Sequence, residues 1–370
     1  TLTTAFMLIE SSYSCHTFYY VLIFINNYNA CSSETTDTEP EAASTADLAG
    51  QTVQLLTHDS FALSDDVIAD FEASTGVTLE LVSGGDAGSM VAGAILAAGA
   101  PTADVIFGVD NTLVTRALDS DVFEAYTSTE AEALRPELAA RSFDGRVTPI
   151  DFGDVCINID DTWFAAKGIA PPTTLDDLTD PQYRDLLVVQ DPGTSSPGLA
   201  FALSTVSRYG DGWVDYWQRL RNNGVKVAGS WSDAYYGDFT FGGGGDRPIV
   251  VSYATSPPAE IVYAEGEPPE VPSTSVMTDG CYRQVEYAGI LAGTDQPEAA
   301  ALVIDWLLSP AVQADIPLNM FVFPARDGTA LPEVFERFAP QVPDAEELSS
   351  EYIADNIDEI LSEWGAVMGR

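Results

Sequence analysis

Polar and glycine-rich loops follow four segments of the sequence that have the composition of buried β-strands. Their polar side chains are His58 and Asp59, then Asp86 and Ser89, then Asp110 and Asn111, and in the fourth loop Ser195. In open α/β sheets, ligands bind at the loops beyond the carboxyl ends of the strands. We therefore expect these side chains to gather around one small-molecule site.

The loop of residues 84–89 has the composition of an anion-binding turn. It precedes a predicted helix, so its backbone N–H groups and the Ser89 hydroxyl could surround a phosphate; an ordinary tight turn is the alternative. No Gly-Lys-Ser/Thr follows, which argues against nucleotide hydrolysis. Ser195 also has two interpretations, because Pro197 can start a helix there and helix capping would explain the hydroxyl.

Aromatic residues cluster in two later segments. Trp231, Tyr235 and Tyr236 lie within seven consecutive residues, and Tyr253 ends an apolar segment. Aromatic faces near carboxylates suit a flat cation, and each cation–π contact contributes up to ~2 kcal/mol when desolvated. The alternative is that these rings belong to the hydrophobic core.

Strand-like and helix-like segments alternate from Gln51 onward, which predicts an α/β fold with mostly parallel strands joined by crossover helices. The predicted strands are residues 52–57, 77–82, 103–109, 186–190 and 248–253. The first predicted helix begins near Ser64 and ends before Gly76. The next predicted helices are residues 90–98, 197–208 and 211–222. The last predicted helix carries Ile353, Ile357, Ile360, Leu361 and Trp364 on one face. A chain of 370 residues exceeds one compact core, so we expect two lobes.

The strong negative charge of the chain limits the kinds of molecule that it can bind. The sequence has 57 acidic and 15 basic residues and a formal net charge of −42. Nucleic acid is excluded as a partner, because affinity for phosphate backbones comes from Lys and Arg. The acidic residues are spread over all segments, and at molar salt the Debye length falls to ~3 Å, which relieves their repulsion. The composition therefore predicts a halophilic protein.

The first fifty residues have the composition of an export signal and a tether. Residues 17–25 form an apolar segment too short to span a bilayer and suited to the core of a secretory signal. Cys31 follows a small residue, as the lipid-carrying Cys does in lipoprotein cleavage sites. Residues 1–31 are thus predicted to be an export leader with a lipid anchor at Cys31, and residues 32–50, which contain no aromatic residue, a disordered tether.

The cysteines and histidines do not predict a metal site. No CxxC pair is present, and the chain has two histidines, so a Cys/His zinc site is not expected. Cys156 and Cys281 could form a disulfide in an exported protein or stay as buried thiols, and the sequence leaves both possibilities open.

Several motifs in the body occur in an order that resembles a known family. They are HDSF, GGDAGS, GVDN, QDPGTSSPGLAF, GSWSDAYYGDF, VSYATSPPAE and DGCYRQVEYAG, spread over residues 53–325. This series resembles the thiamine-binding periplasmic proteins of ABC importers. The resemblance implies a two-lobed type II periplasmic-binding-protein fold with a hinge near residues 151–153 and 279–281. Lobe 1 would comprise residues 51–151 and 281–325, and lobe 2 residues 152–280 and 326–370.

The same resemblance assigns residues to a ligand site in the cleft. It places Trp231 and Tyr253 beside the ligand's rings, Asp86 and Ser89 on the near lobe, Asp110 and Asn111 in a polar wall, and Ser195 on the far lobe. His58, Asp59, Tyr235 and Phe321 complete the predicted set. His58, Ala259 and Phe321 depart from the family, which usually has Tyr, Tyr and Trp at these positions.

The resemblance implies a monomeric binding protein without a cofactor, not an enzyme. It would bind thiamine or its phosphates at the outer face of the membrane, held there by its lipid anchor, and deliver them to an ABC permease. Two alternatives are a ferric-ion binding protein of related fold, suggested by the adjacent Tyr235 and Tyr236, and a thiaminase-I-like enzyme with Cys156 as nucleophile.

Overall fold

The computed structural model describes residues 48–370. The predicted export leader with Cys31 lies outside the described residues, as does the predicted tether up to residue 47.

Strands and helices alternate through most of the described chain. The strands are β1 (Thr52–Thr57), β2 (Thr78–Ser83), β3 (Val105–Asp110), β4 (Phe123–Glu124), β5 (Thr148–Asp160), β6 (Leu187–Gln190), β7 (Lys226–Ala228), β8 (Ile249–Tyr253), β9 (Thr274–Leu291) and β10 (Phe323–Pro324). The helices are α1 (Asp65–Thr75), α2 (Ala87–Leu96), α3 (Val114–Asp119), α4 (Pro136–Ala139), α5 (Asp161–Lys167), α6 (Ser196–Tyr209), α7 (Trp213–Asn222), α8 (Pro258–Val262), α9 (Pro297–Leu307), α10 (Pro310–Asn319), α11 (Glu333–Phe338) and α12 (Ser350–Met368). The predicted strands and helices are confirmed, with ends that differ by a few residues.

These strands form one mixed sheet in the order β2-β1-β3-β9-β5-β8-β6-β7, with β4 beside β9 and β10 beside β5. Strands β2, β1 and β3 are parallel and, with their flanking helices, form what we call the first half. Strands β8, β6 and β7 are parallel and form the second half. The long strands β5 and β9 lie antiparallel to each other between the halves. The molecule has the predicted α/β fold of the type II periplasmic binding proteins.

Strands β5 and β9 each run from one half into the other. The carboxyl-terminal part of β9 pairs with β3, and the carboxyl-terminal part of β5 pairs with β8. Asp151 on β5 lies opposite Glu286 on β9, close to the point where the strands change partners. The hinge predicted near residues 151–153 falls in this region, and the lobe boundaries stay a prediction.

The two cysteines of the body are joined. Cys156 on β5 and Cys281 on β9 form a disulfide with an S–S distance of 1.98 Å. The register of β5 against β9 shifts at this point, between Val155 and Ile157. Of the two possibilities that the sequence left open, the structure shows the disulfide. A bonded sulfur supplies no thiolate, so the alternative of Cys156 as a nucleophile is wrong.

The two ends of α1 are fixed in different ways. Gly76 ends the helix in a left-handed conformation with φ of 73°, as glycine allows without steric cost. Ser64 occupies the predicted N-cap position, but its side chain caps nothing. Its backbone N–H instead donates to the Asp315 carboxylate at 2.8 Å, so a contact with α10 fixes the start of the helix.

The predicted apolar face of α12 packs on the body. Ile353, Ile357, Ile360 and Trp364 are buried, and the Trp364 ring meets that of Trp217 on α7 at 5.6 Å between centroids. Aromatic pairs in such edge-on arrangements add to the burial of apolar area. Within residues 48–370, no single helix is both long and apolar enough to cross a membrane; α9 and α10 pass that test only as a pair, across a bend of 64°.

Candidate functional site

A cavity of about 360 Å3 lies between the two halves. The first half contributes residues 58–62 after β1, the start of α2, Glu286 on β9 and residues 319–322 after α10. The second half contributes the start of α6, the segment around Trp231, the end of β8 and helix α8 with Tyr263. Cavities of roughly 300–1,000 Å3 hold small ligands, and this one is near the lower end. The two halves thus enclose a small-molecule site.

Most of the predicted site residues line this cavity. They are His58, Asp59, Asp86, Trp231, Tyr235, Tyr253 and Phe321. The structure brings them together from five separate stretches of the chain, as expected for loops at the carboxyl ends of strands. Their contact with a ligand stays a prediction.

The other predicted site residues lie behind or beside the cavity wall. Ser89 is exposed on α2 and faces a separate cleft. The Asp110 carboxylate is buried and accepts hydrogen bonds from Thr112 and Gln284. Asn111, directly after β3, ties this strand to β9. Its side chain accepts a hydrogen bond from the N–H of Val285 and donates one to a backbone carbonyl of β9. Ser195 is buried at the N-cap of α6.

Three rings on the second half form what we call the aromatic wall: Trp231, Tyr235 and Tyr253. The Trp231 and Tyr235 rings stack at 5.0 Å between centroids with an interplanar angle of 17°. The indole N–H of Trp231 donates to Ser252 Oγ at 3.0 Å, and the Tyr253 hydroxyl donates to Gln284 Oε1 at 2.6 Å. With the polar atoms of Trp231 and Tyr253 bonded within the protein, the wall presents mainly apolar ring surface to a ligand.

A π-helical turn, Asp233–Asp238, positions Tyr235 in this wall. The glycine-rich segment after it packs directly on the carbonyl groups of the turn. A Cβ at Gly243 would lie 1.8 Å from the Tyr236 carbonyl oxygen, so a side chain at that position would displace the turn. Single π-helical turns are frequent at functional sites.

Across the cavity, the first half presents what we call the acidic wall: His58, Asp86 and Glu286. His58 Nε2 lies 3.4 Å from Glu286 Oε1, with both side chains nearly buried. Burial alone would lower the pKa of His58, but the Glu286 carboxylate, aided by Asp86 and Asp59, raises it overall. A hydrogen bond from the Ser60 N–H to His58 Nδ1 at 3.2 Å opposes protonation without reversing this balance.

Glu286 belongs to a row of carboxyl groups on neighbouring strands. It pairs in register with Asp110 on β3 and with Asp151 on β5. Burial raises the pKa of Asp110 to about 6, and burial together with the Glu286 charge raises the pKa of Asp151 far above its ordinary value. Burial also opposes the charge of Glu286, but His58 outweighs it and lowers the pKa of that carboxyl. Of the three carboxyl groups, Glu286 ionises most readily, and it is the member of the row that lines the cavity.

Asp86 connects the two halves. Its carboxylate caps α2 through the Ala87 N–H at 2.7 Å and also accepts from two backbone N–H groups of the second half, Ser196 at 3.3 Å and Trp231 at 2.8 Å. Burial raises the pKa of this carboxyl, and the hydrogen bond from Trp231 opposes that shift. Since these bonds favour the carboxylate, Asp86 holds both walls in their facing arrangement.

The mouth of the cavity carries further aromatic surface. Phe321 has a left-handed backbone with φ of 55°, which is strained for a bulky residue, and its ring lies 5.4 Å from that of Tyr263. Tyr263 is one helical turn after Ala259 and is 61% exposed. Tyr236 also lines the mouth, perpendicular to Trp231.

Among the lining residues that the predicted set did not include are the acidic Glu286 and the aromatic Tyr263. Glu286 had a detectable signal, because it is an acidic residue within the apolar strand segment that ends at Leu291. The signal for Tyr263 was weaker. Tyr263 lies four residues after Ala259, and this spacing places both side chains on one face of a helix.

The cavity can bind a flat cation between rings and carboxylates. None of its lining residues, all within the described chain, is Lys or Arg, whereas Asp59, Asp86 and Glu286 are acidic. In residues 48–370, no three His, Cys, Asp or Glu side chains are grouped as a metal site. Burial raises the pKa of Tyr235 well above its usual range, so this phenol is neutral at ordinary pH.

Comparison with known proteins identifies the family of this chain. Residues 100–351 match the family described as bacterial extracellular solute-binding protein. The thiamine-binding periplasmic proteins of Salmonella typhimurium and Escherichia coli are each 30% identical over 318 residues, which cover 85% of this chain and 92% of each relative.

Solved structures give the same result for the fold. A periplasmic thiamin binding protein superposes with a TM-score of 0.74 at 27% identity, over 86% of this chain and 96% of that one. A ferric binding protein from Campylobacter jejuni has a TM-score of 0.67 at 15% identity, over 85% and 99% of the two chains, and shows the shared fold alone. These relatives are binding proteins rather than enzymes, and so is this chain. The chain belongs to the bacterial extracellular solute-binding protein family, within the group of the thiamine-binding periplasmic proteins.

Proposed function

We propose that this protein binds thiamine in the cavity between its halves and delivers it to the membrane permease of an ABC importer. The observation that carries the proposal is the pairing of the aromatic wall with the acidic wall across a cavity that no Lys or Arg lines. The names of its relatives, thiamine-binding periplasmic proteins, support the same ligand.

The chemistry of thiamine matches the two walls. The molecule has two flat rings, one of which, the thiazolium, carries a permanent positive charge. A desolvated cation over the face of Trp or Tyr gains up to ~2 kcal/mol. Glu286 and Asp86 supply the compensating negative charge from the opposite side. A site of this kind selects a flat cation by shape and charge together.

The location of the protein follows from the same proposal. Solute-binding proteins act outside the cytoplasm, and the predicted lipid anchor at Cys31 would hold the body at the outer face of the membrane near its permease. Fractionation of cells that express the full-length precursor tests this. The wild-type protein should sediment with membranes and Cys31→Ala should be released, whereas equal membrane association of both would contradict the anchor.

Calorimetric titration of the body at molar salt tests the ligand. Thiamine should bind with one site per chain, and an analogue in which a neutral ring replaces the thiazolium should bind far more weakly, because it lacks the charge that both walls recognise. The absence of any heat or thermal stabilisation with thiamine would contradict the assignment. Tight binding of ferric iron, with a visible charge-transfer band, would favour the ferric alternative instead.

A further inference from the structure

Hydrogen bonds connect the aromatic wall to a buried carboxylate on the first half, through what we call the relay: Tyr253, Gln284 and Asp110. The Tyr253 hydroxyl donates to Gln284 Oε1 at 2.6 Å, and Gln284 Nε2 donates to Asp110 Oδ2. Tyr253 ends β8, Gln284 lies on β9 and Asp110 ends β3. The relay therefore runs from the second half to the first, across the long strands that lie between them.

A glycine on β5 lets the relay span this distance. Strand β5 lies between β8 and β9, and its Gly153 is in register with Gln284. A Cβ at Gly153 would lie 3.1 Å from Cδ1 of the Tyr253 ring, closer than the ordinary contact of about 3.5–4.0 Å between carbon atoms. Because glycine has no side chain, the ring can lie across β5 and its hydroxyl reaches β9.

The relay has a fixed direction while Asp110 is ionised. Asp110 Oδ1 accepts from the backbone N–H groups of Thr112 at 3.0 Å and Leu113 at 3.1 Å, so this oxygen must stay an acceptor. Oδ2 carries no proton in the carboxylate, so Gln284 must turn its NH2 group toward it. The amide oxygen of Gln284 then faces Tyr253, whose hydroxyl has to be the donor.

Protonation of Asp110 reverses this direction. The proton must lie on Oδ2, where it meets the NH2 group of Gln284, and two donors cannot bond to each other. Gln284 accepts from the new O–H only if its amide rotates, which points the NH2 group at the Tyr253 hydroxyl. That hydroxyl then loses its acceptor. Burial raises the pKa of Tyr253, so water does not replace the lost bond, and a buried donor without an acceptor is costly.

The groups around Asp110 set the pH at which this change occurs. Burial raises the pKa of Asp110 to about 6; its hydrogen bonds oppose the rise, and the charge of Glu286 on β9 adds to it. His58, after β1, and Asp151, on β5, both face Glu286. The other titratable groups near Asp110 are neutral tyrosines whose pKa values burial raises: Tyr253, Tyr282 and Tyr287.

We propose that Gln284 is a positioning residue that couples the orientation of Tyr253 to the ionisation of Asp110, so that the cavity holds its ligand most tightly while Asp110 is a carboxylate. This inference rests on the proposed function and adds to it a control of affinity by pH. Neither Gln284 nor Asp110 lines the cavity; both act on the ligand through the Tyr253 ring.

Thiamine titrations between about pH 5 and 7.5 test the inference. The parent protein is His58→Gln, because His58 has its own effect on affinity at higher pH. It is compared with its Tyr253→Phe variant, which keeps the ring and has no hydroxyl to orient. The ratio of the parent Kd to the variant Kd should rise by about fivefold or more as the pH falls through 6, because only the parent has a hydroxyl donor to lose its acceptor.

The ratio isolates the relay from two other effects of pH. The charge of Asp110 acts on a cationic ligand in both proteins, and protonation of the ligand's own pyrimidine ring also affects both alike. Tyr216→Phe in the same parent is the matched control. The Tyr216 hydroxyl is also buried and donates to a backbone carbonyl, that of Leu175 at 2.8 Å, outside the cavity, so the control should bind with the pH dependence of the parent.

Asp110→Asn in the same parent identifies the titrating group. The Asn side chain must keep its oxygen toward the two backbone N–H groups and turn its NH2 group toward Gln284, as the protonated carboxyl does. This variant should bind thiamine about fivefold more weakly than the parent at pH 7.5, and the Kd ratio measured in its background should not change with pH.

A parent ratio that is constant from pH 5 to 7.5 overturns the inference and leaves the proposed function standing. A ratio that still changes with pH in folded Asp110→Asn contradicts the role of Asp110. If that variant does not fold, the comparison of the parent with Tyr253→Phe remains decisive. If thiamine does not bind the wild-type protein at any pH, the proposed function fails and the inference fails with it.

Discussion

The two walls of the cavity recognise a ligand by different physical means. The aromatic wall on the second half consists of three rings. Trp231 stacks on Tyr235, and the polar atoms of Trp231 and Tyr253 are hydrogen-bonded within the protein. The acidic wall on the first half consists of ionisable groups whose charges depend on one another. Neither wall alone provides both shape and charge. A flat cation is therefore held only when the halves face each other, as the Asp86 hydrogen bonds arrange.

The largest expected effect comes from breaking the covalent connection between the two long strands β5 and β9, which lie between the walls. The double variant Cys156→Ser, Cys281→Ser should lose about 2–5 kcal/mol of unfolding free energy, since the disulfide closes a long loop. Denaturant unfolding measures the loss, with the wild type as the reference. A thiol count on unreduced wild-type body that found two reactive thiols would contradict the disulfide itself.

Removal of the central ring of the aromatic wall should have the next largest effect. Trp231→Ala should weaken thiamine binding by about 30-fold, which corresponds to the ~2 kcal/mol of a desolvated cation–π contact. Calorimetry measures this without relying on tryptophan fluorescence. Trp163→Ala, on α5 and outside the cavity, is the control and should bind like the wild type. Equal loss in both variants would indicate a general loss of folding instead of a lost contact.

On the acidic wall, Glu286→Gln keeps the size of the side chain and removes its charge. We expect about tenfold weaker thiamine binding, with little change for a neutral ring analogue, because only the charged ligand interacts with the carboxylate at long range. Glu351→Gln, on the first turn of α12, controls for the change in net charge. Equal weakening for the charged and the neutral ligand would show that Glu286 acts through packing.

The smallest expected effect is a pH dependence that belongs to His58. Its folded pKa is raised, so the stability that it contributes is fully present below its unfolded value near 6.5 and is lost as pH rises through the higher folded value. As pH rises through the same range, thiamine should bind a few-fold more tightly, because neutral His58 leaves the negative charge of Glu286 without a cationic partner.

Parallel pH titrations of stability and of affinity test this pair of opposite trends. In His58→Gln, the pH dependence of stability and of affinity above pH 6.5 should disappear. The pH dependence of stability that Asp110 causes near pH 6 should remain. If both trends persist unchanged in that variant, His58 is not their source.

What the sequence determined by itself was mostly local. Apolar segments and their breakers placed the strands and helices to within a few residues, as in β1 and α12, because periodicity and end signals act over short distances. The motif around Trp231 and Tyr235 predicted an aromatic site for the same reason, since its rings lie within one turn of the chain. Asp86 and His58 were found because polar loops at strand ends tend to meet.

The tertiary structure alone decided which of those residues share the cavity and how they are charged. Glu286 reaches His58 from a strand more than two hundred residues away in the sequence, and Asp86 reaches Ser196 and Trp231 in the other half. Asp110 and Asn111, which look like site residues in the sequence, instead secure neighbouring strands behind the cavity. Strand pairing and desolvation depend on contacts between distant segments, and no local pattern encodes them.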